Sequence, residues 1–438
     1  MKISIIWTWY IWLIQAVWLA KLWFKVTALD VFQDKIDKLK AWIPTIYEDW
    51  LKELLNETLD RINFTTKTWD IAWSDIIFIC VWTPQNDEWK TDLWYVFWAC
   101  EDIKPYLKWD EIIIVKSTVP VWTNKKIYKL LDKKNKVVSN PEFLREWIAI
   151  KDFFNPDRIV FWFKDLEDKK TIKKVNEVYK YFTDKNIPVL ITDWQTAELI
   201  KYAANSFLAT KITFINEIAR LSDQVGANIK DISTAIWMDE RIGKQFLNAW
   251  IGYGWSCFPK DVKSLIHQFK ENGLTWEIIT KVDDTNSSQV QYFLDKIFNH
   301  YDNKLHGKVI WVLWVAFKPG TDDLRESKGI DIIKKLMYAW AKLKIYDYND
   351  EALKNFKKYL DWIILGNSRW FFEVEIVNDF KKLITKTDSL VITLEDKKIL
   401  QENLANIKLK DNIIFDGKNI LDKKMIVDLG IEYIGVGC

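Results

Sequence analysis

Three groups of residues in this 438-residue chain have the types and spacing that chemistry needs. The first surrounds a cysteine, in Phe246-Leu247-Asn248-Ala249-Trp250-Ile-Gly-Tyr-Gly254-Trp-Ser-Cys257-Phe-Pro-Lys260-Asp261. A thiol beside a glycine-rich loop, with a lysine three residues on and an aspartate four on, suits a nucleophile whose thiolate is favoured by nearby positive charge. Cys80 and Cys100 have no such loop and read as buried apolar residues. The second group shares one helix face: Glu198, Lys201 and Asn205 follow at three- and four-residue spacing, which puts an ammonium and an amide one turn apart. The third is Trp7-Thr-Trp9-Tyr10-Ile11-Trp12, followed by Asp30 and Lys35. His267, His300 and His306 lie in no motif, so lysines and carboxylates must handle protons. Four scattered cysteines suit neither a zinc site nor a disulfide scaffold, no metal is expected, and a reducing cytoplasm fits best.

The elements that must position these groups are obscured by an odd composition. Only 13 residues are glycine, the first of them Gly226, while 27 are tryptophan, 18 of these within the glycine-free first 225 residues. Turns, helix C-caps and close backbone approaches need glycine. Tryptophan stands where it is expected, as in Trp82-Thr83-Pro84 and Pro120-Val-Trp122-Thr123. Glycine and tryptophan together make about 9% of the chain, an ordinary glycine content for an α/β enzyme. Seven arginines against 56 lysines fit an AT-rich genome. UGA codons read as glycine by the source organism, and as tryptophan under the standard code, explain all of this.

With glycine at 7, 9 and 12, the third group becomes Gly-x-Gly-x-x-Gly between a strand and a helix, the fingerprint of a dinucleotide site. The second strand ends at Asp30, placed to accept ribose hydroxyls and favour NAD over NADP; Lys35 would reach the cofactor phosphates. Read literally, Ile3–Ala20 is instead an uncharged run of the kind that anchors in a membrane. The glycine reading makes it strand, turn and helix, with no membrane segment.

Ile/Val-rich runs at Lys2–Ile6, Lys25–Leu29, Asp75–Val81, Glu111–Lys116, Lys136–Val138, Arg158–Phe161 and Val189–Thr192 alternate with amphipathic segments, which predicts a doubly wound sheet. From about Thr196 to Asn299 the pattern is helical. Strands return at Val309–Leu313, Lys342–Tyr346, Trp362–Leu365, Ser389–Ile392 and Asn412–Phe415. The expected fold is α/β: two Rossmann-like doubly wound domains, 1–193 and 301–438, joined by a central helical domain, 194–300. A net charge of +2 gives no case for nucleic acid.

These motifs, together with Val81-Trp-Thr-Pro84, Lys116-Ser-Thr118-Val-Pro-Val-Trp-Thr123, Asn140-Pro-Glu142-Phe-Leu-Arg145-Glu146-Trp147, Ala197-Glu-Leu-Ile-Lys201-Tyr-Ala-Ala-Asn205 and Ala316-Phe-Lys318-Pro-Gly-Thr-Asp-Asp-Leu-Arg325, resemble the UDP-glucose/GDP-mannose dehydrogenase family over essentially the whole chain. The Cys257 loop is similar to the branch acting on UDP-glucose rather than on GDP-mannose or UDP-N-acetylhexosamines. The resemblance implies oxidation of a sugar C6 alcohol to a carboxylate by two NAD⁺ in turn. Cys257 would form a thiohemiacetal and then a thioester; Lys201 and Asn205 would stabilise the oxyanion. Lys201 or a water held by Asp261 would take the alcohol proton, and a water near Thr118, Glu142 and Asp261 would hydrolyse the thioester, with Glu142 as base. It further implies cofactor contacts at Ile11, Asp30, Lys35, Thr83, Thr118, Glu146, Lys260 and Arg325. Implied sugar-nucleotide contacts are Glu142, Phe143, Leu144, Arg145, Lys201, Phe246 to Trp250, Gly254 and Lys318. Arg241 would reach the substrate of a neighbouring subunit, which implies a homodimer or larger assembly. Were the tryptophans real, their indoles would fill the pyrophosphate site and leave a non-catalytic sugar-nucleotide-binding relative.

Overall fold

Runs such as Ile76-Ile-Phe-Ile79 and Ile112-Ile-Ile-Val115 are apolar at every position, so their strands must be covered on both faces. The computed structural model describes the chain apart from residues 8–9, 47, 49, 109, 146–147, 164–167, 255–256, 367–371, 378–379, 381–386, 403 and 405–406. It contains β1 (Lys2–Ile6), β2 (Lys25–Leu29), β3 (Ile62–Thr65), β4 (Ile76–Ile79), β5 (Ile112–Val115), β6 (Lys136–Ser139), β7 (Ile159–Phe163) and β8 (Val189–Thr192) in one sheet. Their spatial order is β3-β2-β1-β4-β5-β6-β7-β8, parallel except between β6 and β7. Alternate residues feed two cores, Ile3, Ile5 and Phe78 on one face and Ile6, Ile77 and Ile79 on the other.

A second sheet holds β9 (Val309–Leu313), β10 (Lys342–Tyr346), β11 (Val374–Ile376), β12 (Thr387–Ile392), β13 (Leu409–Asp416) and β14 (Glu432–Ile434). Its order, β11-β10-β9-β12-β13-β14, repeats the 3-2-1-4-5-6 winding of the first six strands. Helices Trp194–Val225, Ile229–Trp237, Phe258–Glu271 and Glu277–His300 occupy the chain between the sheets. The architecture is therefore α/β, with two Rossmann-like domains and a central helical domain. Two compact units result, Met1–Ala204 with Lys263–Leu274 and Asn205–Val262 with Thr275–Cys438.

One expected strand is overturned. Trp362–Leu365 lies in the last turns of the Asp350–Gly366 helix. A four-residue apolar run carries no period of its own, and the burial of Ala352, Leu353, Phe356, Leu360 and Ile363 follows helical spacing. The short strands β3, β11 and β14 escape the sequence pattern. Ile3–Ala20 divides into β1, a turn and the helix Tyr10–Lys21, and among the described residues no helix is long and apolar enough to cross a membrane.

Among the described residues, nine tryptophans adopt left-handed backbone: Trp7, Trp23, Trp42, Trp50, Trp73, Trp89, Trp122, Trp314 and Trp340, with φ between 62° and 77°. A bulky side chain is an outlier there. Three of them close helices in one pattern. Trp23 N–H donates to Ala20 O and Phe24 N–H to Leu19 O; the same pair of bonds recurs at Trp42/Ile43 and Trp340/Ala341. This is the Schellman cap, whose left-handed residue is ordinarily glycine. Gly273 and Gly430 make the identical bonds in this same chain. Trp12, Trp18, Trp311 and Trp314 are fully buried, and their indole N–H groups have no partner, although a buried indole N–H ordinarily finds one.

Candidate active site

In the first unit, β1 ends in the left-handed turn at Trp7, whose N–H donates to Leu29 O at 2.7 Å, and a helix starts at Tyr10. Trp9 lies outside the described residues; Tyr10 and Ile11 open the helix, and Trp12 is buried within it. Asp30, directly after β2, is buried; it accepts the Phe32 N–H at 2.8 Å and has the Lys35 ammonium 4.0 Å away. The indole of Trp7 packs on Tyr95 at 5.0 Å and Trp98 at 6.2 Å. A tight turn after β1 and a buried acid after β2 are what a dinucleotide site requires.

The loops after β4 and β5 meet where Thr83 Oγ1 donates to Thr118 O at 3.0 Å and Ser117 Oγ to Val81 O at 2.8 Å. Beside them Glu142 accepts the Leu144 N–H at 2.6 Å and the Lys201 ammonium at 3.1 Å, with both members of the ion pair buried. Removing either partner would strand the other charge. Lys116, buried at the end of β5, donates to Asn140 Oδ1 at 3.0 Å, and burial lowers its ammonium to about 8. Phe143 lies 3.9 Å beneath the Arg158 guanidinium, and Arg145 is held by Asp152 through Nε at 2.8 Å and Nη2 at 2.6 Å. Glu146 and Trp147 lie outside the described residues.

In the second unit, Cys257 immediately precedes the helix Phe258–Glu271, and its carbonyl accepts the Asp261 N–H at 2.8 Å. A helix N-terminus favours thiolate. Burial instead pushes the thiols of Cys80 and Cys100 up to about 12. Asp261 is buried between the Asn205 amide and the Lys260 ammonium, each at 2.5 Å. The preceding loop is pinned at several points: Trp250 N–H to Asn216 Oδ1 at 2.8 Å, Gln289 Nε2 to Trp250 O at 2.9 Å, and Tyr253 N–H to Asn286 Oδ1 at 2.8 Å. A Cβ at Gly254 would meet Glu326 O at 2.1 Å, so only glycine fits there. Leu247 and Ala249 are buried, Asn248 is exposed, and Phe246 has φ +66°. Lys318 is half-buried after β9; Arg325 is exposed and paired with Asp323, and Arg241 is exposed and paired with Asp239.

Of the residues expected from the sequence, the first unit thus holds Thr83, Thr118, Glu142 and Lys201, and the second holds Asn205, Cys257, Lys260 and Asp261. Lys201 and Asn205 sit on one continuous helix. Lys418 is a residue that sequence reasoning missed. It is buried just past β13, its ammonium is 2.8 Å from the centre of the Trp250 ring, and burial lowers it to about 8. Its place at the carboxyl end of an interior strand, where α/β sheets bind ligands, is the signal that could have found it.

Similarity to known proteins agrees with this layout. The family models for the NAD binding, central and UDP binding domains of the UDP-glucose/GDP-mannose dehydrogenases match residues 1–183, 195–288 and 311–423. The chain belongs to that family. It is 37% identical to the UDP-glucose 6-dehydrogenase of Rickettsia bellii, over 100% of this chain and 99% of that protein. It is 40% identical to the uncharacterized protein MJ1054 of Methanocaldococcus jannaschii, over 98% of this chain but only 49% of that protein. Among solved structures, a UDP-glucose dehydrogenase from Pyrobaculum islandicum superposes with a TM-score of 0.87 at 30% identity, covering 100% of this chain and 97% of that one. As a member of the family, the chain is an NAD-dependent nucleotide-sugar dehydrogenase whose substrate is a UDP-sugar.

Proposed function

We propose that the chain oxidises UDP-glucose at C6 to UDP-glucuronate in the cytoplasm, with glycine at most positions translated as tryptophan. The observation that carries this reading is Cys257 at the head of a helix whose first turn holds Asp261 against Asn205. Bound NAD supplies the hydride acceptor for each of the two oxidations. Asp30 would take its ribose hydroxyls and the backbone of residues 7–12 its pyrophosphate, and Lys35, Thr83, Thr118, Glu146, Lys260 and Arg325 are assigned as further cofactor contacts by the family resemblance. Phe246 to Trp250, Gly254, Lys318, Arg145 and Lys418 hold the UDP-sugar.

In the first oxidation the C6 alcohol gives up its proton to a water held by Asp261. The Cys257 thiolate adds to the aldehyde: an S–C bond forms, and the carbonyl oxygen becomes an oxyanion received by Lys201 and Asn205. A thiohemiacetal can be oxidised again where a free aldehyde cannot, and the product is a thioester. Water deprotonated by Glu142 then adds to it, the C–S bond breaks, and the thiolate leaves the carboxylate product.

The test compares NADH production from UDP-glucose, a UDP-N-acetylhexosamine and GDP-mannose. UDP-glucose is expected to lead in kcat/KM by ~100-fold or more, the scale on which a shaped site rejects a wrong substituent. A higher kcat/KM for either competitor rejects the assignment.

A homodimer accompanies this reading. Phe207, Phe214 and Leu221 are exposed at seven-residue spacing along the helix Trp194–Val225, a stripe that water disfavours and a second copy would cover. The Arg241 guanidinium, also exposed, can extend to that neighbour's substrate. Phe207→Asp with Phe214→Asp should convert dimer to monomer in sedimentation velocity; a wild-type monomer at micromolar concentration would remove the proposal.

A further inference from the structure

Glu198 is a buried carboxylate that the chemistry above does not use. It lies on the helix Trp194–Val225, three residues before Lys201 and seven before Asn205. Its oxygens accept the backbone N–H of Trp122 at 2.6 Å, the backbone N–H of Asn124 at 2.7 Å and the Asn124 side-chain amide at 2.8 Å. The acceptor and donors are more than 70 residues apart in sequence.

The reason for this long reach is local. Trp122 is the N-cap of the helix Thr123–Leu130, with φ +77° and ψ 0°, and makes no side-chain cap. The first N–H groups of a helix have no partner within it and ordinarily turn to a Ser, Thr, Asp or Asn at the N-cap. A left-handed residue forms the turn here, a place for glycine, which has no capping oxygen. Glu198 supplies the missing acceptor from another helix. The clamped segment continues back through Pro120 and Val119 to Thr118, whose carbonyl holds Thr83. A second strut joins the same loop, where Val121 N–H donates to Gln268 Oε1 at 3.1 Å. Burial raises the Glu198 carboxyl to about 7 against the pull of these donors, so the fold keeps this acid at an energetic cost.

We propose that Glu198 is a positioning residue of the dehydrogenase, a cap in trans that fixes the Thr118 loop in register with Lys201 on its own helix. It acts through the Trp122 and Asn124 amides it holds and is assigned no contact with cofactor or sugar. The proposal rests on the function assigned above to Thr118 and Lys201, since a misplacement of about 1 Å between reacting groups can cost ~10²-fold in rate.

Glu198→Gln keeps one acceptor and turns a donor toward the second N–H; Glu198→Ala keeps none. The expected result is a graded loss of kcat with UDP-glucose, ~10-fold for Gln and ~100-fold for Ala, with KM for NAD and for the sugar nucleotide within about twofold of wild type. Equal losses in both variants, KM changes without a kcat change, or a lower Tm with unchanged kcat would each overturn it. Hydrogen exchange gives a readout that needs no turnover: in protein made with glycine at the positions proposed, the backbone amides of residues 122 and 124 should exchange at least ~10-fold faster in both variants. Unchanged protection there rejects the clamp whatever the enzyme's activity, whereas lost protection in a chain inactive on UDP-glucose would count against the function assignment and not against the clamp.

Discussion

Made with glycine at Trp7, Trp9, Trp12, Trp82, Trp122, Trp147, Trp250, Trp255 and Trp314 and also at Trp23, Trp42, Trp50, Trp73, Trp89 and Trp340, the chain is expected to fold and to reduce NAD; made with tryptophan throughout, it is expected to do neither. Among the described residues nine tryptophans hold positive φ, and left-handed backbone costs an L side chain roughly 1–2 kcal/mol each. The sum is of order 10 kcal/mol, comparable to the whole stability of a typical domain at about 5–15 kcal/mol. Among the described residues, five buried indole N–H groups without partners add about 1–3 kcal/mol apiece. At the cofactor turn the consequence is chemical as well, because the second position of the fingerprint, residue 9, is where a dinucleotide site needs the backbone to approach the pyrophosphate without a side chain. Thermal melts and NADH absorbance of the two proteins decide the matter. Equal activity of the tryptophan form, or UGG at codons 7, 9 and 12 of the gene, would defeat the glycine reading.

Backbone geometry also determines which elements are legible in the amino-acid sequence. Strands buried on both faces announce themselves as Ile/Val runs, so β1, β2, β4, β5, β9 and β10 are legible, while the three-residue edge strands β11 and β14 leave no pattern. Trp362–Leu365 misleads because its neighbours at helical spacing, not the run itself, decide its state. Lys201 and Asn205 are legible as a pair because helical periodicity is local. The partners they meet, Glu142 at 59 residues' distance and Asp261 at 56, are fixed by tertiary packing. The burial of Lys418 and the reach of Glu198 belong to that same class. Composition points to the tryptophans as a group, but only the dihedral angles pick out those, such as Trp23 and Trp122, that sit at left-handed turns where glycine is ordinarily found.

Cys257→Ser should abolish the four-electron reaction while leaving the fold intact. The substitution replaces one γ atom at a half-buried position ahead of the Phe258–Glu271 helix, and it leaves the Asp261, Asn205 and Lys260 contacts in place. What it removes is the thiolate. A helix N-terminus favours the thiolate form of a cysteine, whereas a serine hydroxyl stays protonated without an adjacent base, and no histidine motif supplies one. Addition to the aldehyde then fails, and with it the second oxidation. A fall of ~10³-fold in UDP-glucuronate formation, equivalent to about 4 kcal/mol in the barrier, is expected. Wild type should release two NADH per UDP-glucuronate. Alkylation provides an independent check: iodoacetamide should modify Cys257 ahead of Cys80 and Cys100, whose burial holds their thiols protonated, and activity should decay at the rate of Cys257 labelling. A Cys257→Ser enzyme that retained a tenth of wild-type turnover with two NADH per sugar would show that the carboxylate forms through a hydrated aldehyde, and the role assigned to Cys257 would fall.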